Sequence, residues 1–334
     1  MGQAVEVSEP GRYAIVDAGR PEPGPGEVRV RVAAAGICGS DRELYAGTRP
    51  PGFGAYPITP GHEWSGTVDA LGAGVDPGLA GAPVVGEGFR TCRVCDRCRT
   101  GQTNLCAAGY DETGFTRPGA FAEHLVLPAY LLHVLPAGTD LVAAALLEPA
   151  AVAAAAIAQV PPDPGDRVAV VGGGTLGLLA TLFLAAYPVA ALTVVEPRAG
   201  REAAARAAGA TAFVPPDAAD GAYDVVVEAA GAPGTARTAV GLARRGGRVV
   251  LTGIPGDPAD AVPTAELVGR AVRVATVFGA ASRDWVRAVR AFTGGVLDPR
   301  PLAGETLPLS GYGAALDRSA APDAGKVLLI PGRT

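Results

Sequence analysis

The stretch RVAVVGGGTLG, residues 167–177, decides the fold of this chain. Its first five residues form a short apolar run that predicts a strand, and its last six match the pattern G-x-G-x-x-G. Residues 178–186 follow as an apolar run that predicts a helix. Glycines between a strand and a helix let the backbone approach a pyrophosphate, whose charge is met by the helix N-terminus. We therefore predict five cofactor-binding residues: Gly172, Gly174, Thr175, Leu176 and Gly177.

The residues after this turn predict further strands and helices in alternation. The predicted strands are 191–195, 212–214, 223–228, 247–252 and 271–278, and the predicted helices after the first are 201–208, 235–243 and 264–269. Strands and helices that alternate at this spacing are typical of an α/β fold with a doubly wound parallel sheet.

The end of the second strand carries the signal for the type of dinucleotide. Glu196 lies nineteen residues after Gly177. A carboxylate at this point can bind both ribose hydroxyls of NAD, and it repels the 2′-phosphate of NADP. Arg198, two residues later, favours NADP. We expect NAD, with NADP as the less favoured cofactor.

Four of the five cysteines lie close together in the loop 90–106. Cys92, Cys95, Cys98 and Cys106 have the spacing C-x2-C-x2-C-x7-C. Four thiolates at such spacing suit a closed tetrahedral zinc site of the structural kind. The start of the chain has no apolar signal sequence, so we expect a cytoplasmic protein with reduced thiols. A nucleic-acid-binding zinc ribbon fits poorly with the acidic composition.

A second metal site is suggested by three separate residues. Cys38 follows the strand-like run 27–33, and His62 precedes the acid Glu63 in the segment PGHEWSG. Glu148 is an acid within the apolar stretch 141–160, where a buried carboxylate needs a partner. Cys, His and Glu with one open position are typical of a catalytic zinc. From spacing alone, a core cysteine with unrelated polar neighbours is an equally good interpretation.

Composition excludes several classes of protein. The chain has 334 residues, enough for about two domains. The net charge is −5 and the pI is about 5.3, so no basic field suggests nucleic acid or anionic lipid as a partner. Glu148 and Pro149 interrupt the apolar stretch 141–160, which argues against a membrane span. The single lysine, Lys326, forms no phosphate-binding loop, and we discount it as a catalytic residue.

The motifs together resemble the zinc-dependent medium-chain dehydrogenase/reductase family. Their order along the chain is GICGSD at 36–41, GHE at 61–63, the four-cysteine loop, LEP at 147–149 and the glycine motif. With Glu63 after His62 and Glu148 in the LEP motif, the chain resembles the branch of sorbitol, threonine and aminocyclitol dehydrogenases. The resemblance implies a Rossmann domain at 149–278, inserted into a mainly β, GroES-like barrel domain formed by 1–148 and 279–334. It also implies a homodimer or homotetramer.

The resemblance further implies two zinc ions per chain and a role for each motif residue. Cys38, His62, Glu63 and Glu148 surround the catalytic zinc. Asp41 accepts a hydrogen bond from His62, and Ser40 takes the proton of the substrate hydroxyl while hydride goes to NAD. Glu43 stands where many relatives have a histidine that relays the proton to solvent.

The predicted reaction is oxidation of a secondary hydroxyl of a polyol, cyclitol or aminocyclitol to a ketone. Residues 40–43 and 277–281 resemble glucose 1-dehydrogenases, so an aldose 1-dehydrogenase that uses NAD or NADP is the alternative. Residues 64–66 and 114–117 are more similar to aminocyclitol dehydrogenases. Less favoured interpretations are a non-catalytic NAD sensor and an NADP-linked reductase of double bonds.

Overall fold

The computed structural model describes residues 2–254, 261–322 and 324–332, and the chain divides into two units. The first unit comprises Met1–Glu148, Ala281–Val289 and Pro299–Thr334, and the second comprises Pro149–Ala280 and Arg290–Asp298. Arg290–Asp298 thus groups with the second unit, whereas the sequence analysis assigns all of 279–334 to the barrel domain.

The described residues form fifteen strands and ten α-helices. The strands are β1 (Gln3–Glu9), β2 (Arg12–Asp17), β3 (Glu27–Gly36), β4 (Glu63–Leu71), β5 (Pro83–Gly86), β6 (His124–Pro128), β7 (Leu132–Val134), β8 (Arg167–Val171), β9 (Ala191–Val195), β10 (Ala212–Val214), β11 (Tyr223–Glu228), β12 (Ala243–Leu251), β13 (Arg273–Thr276), β14 (Ala303–Leu307) and β15 (Lys326–Leu329). The helices are α1 (Gly39–Ala46), α2 (Asp96–Arg99), α3 (Leu141–Ala144), α4 (Leu147–Gln159), α5 (Thr175–Leu184), α6 (Glu202–Ala207), α7 (Thr235–Leu242), α8 (Thr264–Arg270), α9 (Ser282–Thr293) and α10 (Tyr312–Ala320).

The first unit is built mainly of antiparallel strands. Strands β1 and β2 form a hairpin, and a seven-stranded sheet has the order β14-β15-β3-β4-β5-β7, with β6 also paired to β3. Only β14 and β15 pair in parallel in this sheet. Valines, leucines and aromatic rings fill its core, with Trp64, Phe121 and Tyr312 among the fully buried side chains. Their burial supplies most of the stabilisation of a small barrel-like unit.

Strand register at the end of β3 brings three distant segments together. Gly36, the last residue of β3, pairs with Glu63 on β4 and with Leu328 on β15. A Cβ at position 36 would lie 2.4 Å from Glu63 Oε2 and 2.7 Å from Lys326 Cε. Only glycine, which has no Cβ, avoids these steric clashes. The GICGSD motif therefore begins at the end of β3, with β4 on one side of it and β15 on the other.

The second unit contains a six-stranded parallel sheet of order β10-β9-β8-β11-β12-β13. This order reverses between β8 and β11, as in Rossmann folds, so the predicted doubly wound sheet is confirmed. Some predicted boundaries were wrong. Helix α5 begins at Thr175, inside the glycine motif, β12 begins at Ala243, and β13 ends at Thr276.

The sequence predicts a buried helix over the apolar stretch 141–160, and the structure forms two helices there, α3 and α4. Pro149 lies in the first turn of α4, where its missing N–H is tolerated because first-turn N–H groups have no partner within the helix. Glu148 lies in the same turn. Among the described residues, every helix is too short or too polar to cross a bilayer.

Candidate active site

The turn between β3 and α1 fixes the position of Cys38. Cys38 is the N-cap residue of α1 and has an extended backbone. Its N–H donates a 2.8 Å hydrogen bond to Asp41 Oδ2, three residues later, which is a typical way to satisfy a free N–H at a helix start. Asp41 is fully buried, so the start of the helix and its thiol are held in one arrangement.

Three predicted ligands meet at this turn. The Cys38 Sγ, a ring nitrogen of His62 and a carboxylate oxygen of Glu63 all lie within 4.8 Å of one another. His62 Nδ1 faces Asp41 Oδ1 at 3.5 Å, and neither atom has a hydrogen-bond partner among the described residues. Because Nδ1 faces the carboxylate, Nε2 is the nitrogen available to a metal.

The electrostatics of this site favour a cation. Burial alone lowers the pKa of His62, but the negative charges of Asp41 and Cys38 outweigh it and raise the pKa well above its ordinary value. Glu63 is also buried, with 1% of its surface exposed. A soft thiolate, an imidazole and a carboxylate at this separation are a donor set that fits zinc with an open position.

Glu148 is not among the three donors that lie within 4.8 Å of one another. It is nevertheless part of the same electrostatic environment. The pKa of Glu148 is raised to about 8, chiefly by burial, while His62 lowers it, Glu63 and Glu112 raise it, and Lys326 lowers it. Glu148 is therefore a separate acid that interacts electrostatically with two members of the donor set, His62 and Glu63.

Lys326, which the sequence analysis discounts, lies at the candidate site. Its ammonium group forms an ion pair with Glu63 Oε2, and only 6% of the residue is exposed. Burial lowers the pKa of Lys326, but Glu63 and Cys38 outweigh it and raise the pKa. The available signal was that the only lysine of the chain begins a strand-like apolar run, 326–330.

The two predicted proton-transfer residues lie on α1. Ser40 is half-buried at the second position of the helix, and Glu43 follows three residues later, so the two share a face. The side chain of Glu43 is 47% exposed and its Oε2 lies 3.9 Å from Arg49 Nη1. The structure thus gives Ser40 a sheltered position and Glu43 a position in contact with solvent.

The four cysteines of the 90–106 loop form a second donor cluster. Their Sγ atoms lie within 4.8 Å of one another, and those of Cys92 and Cys98 are 4.0 Å apart. Two sulfurs on a tetrahedral zinc with 2.3 Å bonds are separated by about 3.8 Å, so the spacing fits this ion. Backbone N–H groups already point at the sulfurs, including 3.3 Å from Cys92 N to Cys106 Sγ.

The thiols of this cluster have unequal proton affinities. Hydrogen bonds from the backbone of Ala107 and Cys98 lower the pKa of Cys95 to about 6. Burial raises the pKa of Cys98 to about 12. Four adjacent thiols cannot all ionise without a compensating cation, and a zinc ion has the charge that such a site needs.

The glycine motif has the geometry that a dinucleotide needs. Gly172 follows β8 with φ of 106°, and a Cβ on Gly177 would lie 1.9 Å from the carbonyl oxygen of Gly172. Gly174 caps α5, and a Cβ there would meet no atom within 4 Å. The turn therefore packs tightly against the strand and leaves open space at the helix N-terminus, which fits a pyrophosphate. Thr175 and Leu176 form the first turn of the helix.

Glu196 and Arg198 form a pair beside this turn. Gly173 N–H donates to Glu196 Oε2 at 2.7 Å, and Arg198 donates from its backbone and its Nε to Oε1 at 3.0 and 2.6 Å. Burial alone raises the pKa of Glu196, but Arg198 and Gly173 outweigh it and lower the pKa. Because Arg198 offsets its charge, Glu196 repels a phosphate less than an isolated carboxylate does.

Comparison with known proteins identifies the family. Residues 24–137 match the family model of the alcohol dehydrogenase GroES-like domain, and residues 175–294 match that of the zinc-binding dehydrogenases. A 2-dehydro-3-deoxy-L-galactonate 5-dehydrogenase of Pseudoalteromonas atlantica is 32% identical over 319 residues, which cover 91% of each chain. The chain belongs to the zinc-dependent medium-chain dehydrogenase/reductase family.

This dehydrogenase has further relatives of the same kind. A sorbitol dehydrogenase of Halalkalibacterium halodurans is 29% identical, with 96% of each chain covered. A protein of Sinorhizobium meliloti, solved with bound NADP, has a TM-score of 0.92 at 30% identity and 99% coverage of each chain. These findings confirm the resemblance to the polyol and threonine branch and the fold that combines a GroES-like domain with a Rossmann domain. The dehydrogenase is an oxidoreductase that acts on CH–OH groups of small molecules.

Proposed function

We propose that this dehydrogenase oxidises a secondary hydroxyl of a polyol, cyclitol or aminocyclitol to a ketone, with NAD as the hydride acceptor. The observation that carries the proposal is the buried donor set of Cys38, His62 and Glu63 beside Ser40 at the start of α1. Polyhydroxylated substrates are supported by two of the relatives, a sugar-acid dehydrogenase and a sorbitol dehydrogenase.

Cys38, His62 and Glu63 would hold the catalytic zinc, with Glu148 as the acid that exchanges with water. Zinc, when bound, acts as a Lewis acid that makes the substrate hydroxyl more acidic, while NAD supplies the acceptor for hydride. Cys92, Cys95, Cys98 and Cys106 would hold a second zinc with no open position, and its role is structural.

The residues around the donor set orient it and move the proton. Asp41 faces His62 Nδ1 and so keeps the imidazole in the tautomer whose Nε2 carries no proton. The half-buried Ser40 hydroxyl accepts the proton of the substrate hydroxyl while it donates its own proton onward, and Glu43 takes up a proton at the solvent side. Lys326 holds Glu63 by an ion pair and limits the negative charge at the site.

The glycine turn at Gly172, Gly174 and Gly177 would bind the pyrophosphate, and Glu196 would face the adenosine ribose. A carboxylate there supports NAD, since it hydrogen-bonds two free hydroxyls. Its pairing with Arg198 also allows binding of NADP at lower affinity.

We propose that the chain forms a homodimer or homotetramer. Strand β13 is an edge of the parallel sheet, with Val274 40% exposed. Unpaired edges are suited to continuation of the sheet by a second copy.

The test is NADH formation by zinc-loaded enzyme with linear polyols, cyclitols, aminocyclitols, aldoses and threonine, each with NAD and NADP. Turnover of ring or chain polyols with NAD supports the proposal. Turnover of an aldose alone would move the enzyme to the glucose dehydrogenases. Two bound zincs without any turnover would contradict the proposed reaction and favour a sensor.

A further inference from the structure

The proposed mechanism does not use a buried carboxylate at the end of β11. Glu228 is the last residue of this strand, and only 2% of its surface is exposed. Strand β11 lies beside β8, at the point where the strand order of the parallel sheet reverses. Ligands of doubly wound sheets bind in the crevice outside the carboxyl ends of the strands at this point. Glu228 therefore lies at the end of the sheet where the dinucleotide is expected.

Both carboxylate oxygens of Glu228 accept hydrogen bonds from the backbone of loops. Oε1 accepts the N–H groups of Ala230 at 2.9 Å and of Gly231 at 2.8 Å, in the loop after β11. Oε2 accepts the N–H of Gly253 at 3.1 Å, in the loop after β12. The hydroxyl oxygen of Thr235, at the start of α7, lies 2.9 Å from Oε1. One side chain thus ties together the loops that follow two neighbouring strands.

The same two loops meet backbone to backbone. A Cβ on Gly253 would lie 2.2 Å from Gly231 Cα and 2.8 Å from Glu228 Oε2. A Cβ on Gly231, whose φ is 60°, would lie 3.1 Å from Gly253 Cα. Glycine at both positions lets the loops touch with no side chain between them. Their relative position is therefore set by this contact and by the hydrogen bonds to Glu228.

The loop after β11 also contacts the glycine turn. Ala229 N–H donates to the Val171 carbonyl at 2.9 Å, and a Cβ on Gly172 would lie 3.0 Å from Ala230 Cβ. Glu196, predicted to face the adenosine ribose, follows β9 on the other side of β8. Because a dinucleotide spans the crevice from one side of this turn to the other, its nicotinamide half is expected at the loops after β11 and β12.

We propose that Glu228 is a positioning residue for the nicotinamide half of the cofactor, which it serves by fixing the loops after β11 and β12 against each other. It acts through the backbone of these loops, since loop N–H groups occupy both of its oxygens. The inference rests on the cofactor site of the proposed function, and it is independent of which alcohol is oxidised.

The test measures cofactor binding by Glu228→Gln and by the parent enzyme, both loaded with zinc and without substrate. The amide oxygen of glutamine keeps the two N–H donors at Oε1, whereas the amide nitrogen faces the N–H of Gly253, a donor against a donor. The reverse orientation would leave two N–H groups unpaired instead of one. The substitution therefore releases the loop after β12 and retains the loop after β11.

The probes are ADP, which lacks the nicotinamide half, and either NADH or NADPH, whichever the parent enzyme binds more tightly. We expect the Kd of the reduced dinucleotide, measured by isothermal titration calorimetry, to rise about tenfold in Glu228→Gln, the range of one lost buried hydrogen bond. The Kd of ADP should stay within about twofold, because its expected contacts lie at the glycine turn and Glu196.

Two further variants support this comparison. Gly253→Ala leaves Glu228 unchanged but forces the two loops apart, and it should also weaken dinucleotide binding more than ADP binding. This variant keeps the inference testable if Glu228→Gln does not fold. Glu202→Gln changes a glutamate of the same unit whose side chain is 50% exposed, and it should leave both Kd values unchanged.

A role in stability alone gives a different result. It would lower the melting temperature of the cofactor-free variants and leave both Kd values near those of the parent enzyme, which overturns the inference. An equal rise in both Kd values also overturns it, because the effect would not be confined to the nicotinamide half. Neither result affects the proposed function. If the parent enzyme binds neither reduced dinucleotide nor ADP, the cofactor site of the proposed function fails and this inference fails with it.

Discussion

Replacing Lys326 by methionine tests the buried ion pair at the predicted zinc site. Lys326 is 6% exposed and its partner Glu63 is 1% exposed, so the substitution leaves a carboxylate in a region without water. Methionine has a similar length and fits beside Gly36, where the Lys326 side chain runs. Loss of one partner of a buried pair costs about 3–5 kcal/mol of unfolding free energy. For a unit of 150–250 residues, that lowers the melting temperature by roughly 10 °C.

The assay is urea unfolding of zinc-free and zinc-loaded protein at neutral pH. The raised pKa of Lys326 means that its contribution is fully present below its unfolded pKa, about 10.4, and is lost only as the pH rises through the higher folded value. The double variant Lys326→Met with Glu63→Met removes both charges and should be more stable than Lys326→Met alone. If Glu63 contacts the metal, bound zinc should also reduce the loss of unfolding free energy that Lys326→Met causes.

This reasoning is refuted by either of two results. In the first, Lys326→Met unfolds within about 1 kcal/mol of the parent protein, the upper value for an exposed pair. In the second, the double variant is as unstable as the sum of the two single variants, which would mean that the residues do not interact.

Four further predictions concern other parts of the proposed site. His62→Ala should abolish turnover and remove one zinc per chain without changing the far-UV circular dichroism; near-normal activity without that zinc would exclude the metal mechanism. Cys95→Ser should lose the other zinc and lower the melting temperature, and an unchanged melting temperature with one zinc lost would contradict a structural role. In zinc-free protein, the pKa of about 8 for Glu148 means that stability falls as the pH rises from its unfolded pKa, near 4.5, to about 8. Glu148→Gln should flatten this dependence of stability on pH. An unchanged profile would show that groups other than Glu148 cause the pH dependence. Arg198→Ala should raise the KM for NADP about tenfold relative to that for NAD, whereas an unchanged ratio would show that Arg198 does not contact the 2′-phosphate.

The sequence by itself determined the parts of this protein that depend on local spacing. The conformation of the glycine turn at 172–177 is set by residues close in the sequence. The positive φ of Gly172 and the close approach of Gly177 to Gly172 both lie within this turn. The four cysteines are likewise near enough along the chain for one short loop to bring their sulfurs together. Cys38 and Asp41 are three residues apart, so the start of one helix positions both.

Only the tertiary structure decided the contacts that join distant segments. Lys326 was discounted from the sequence, yet antiparallel pairing of β15 with β3 places it against Glu63, more than 260 residues earlier. The sequence predicts the loops 46–56 and 108–117 as pocket walls, but only the fold joins Glu112 and Arg49 to the His62 side of the site, through Tyr110 and Phe115. Spacing along the chain cannot reveal such contacts, because they depend on strand register and on how side chains from separate loops fill one core.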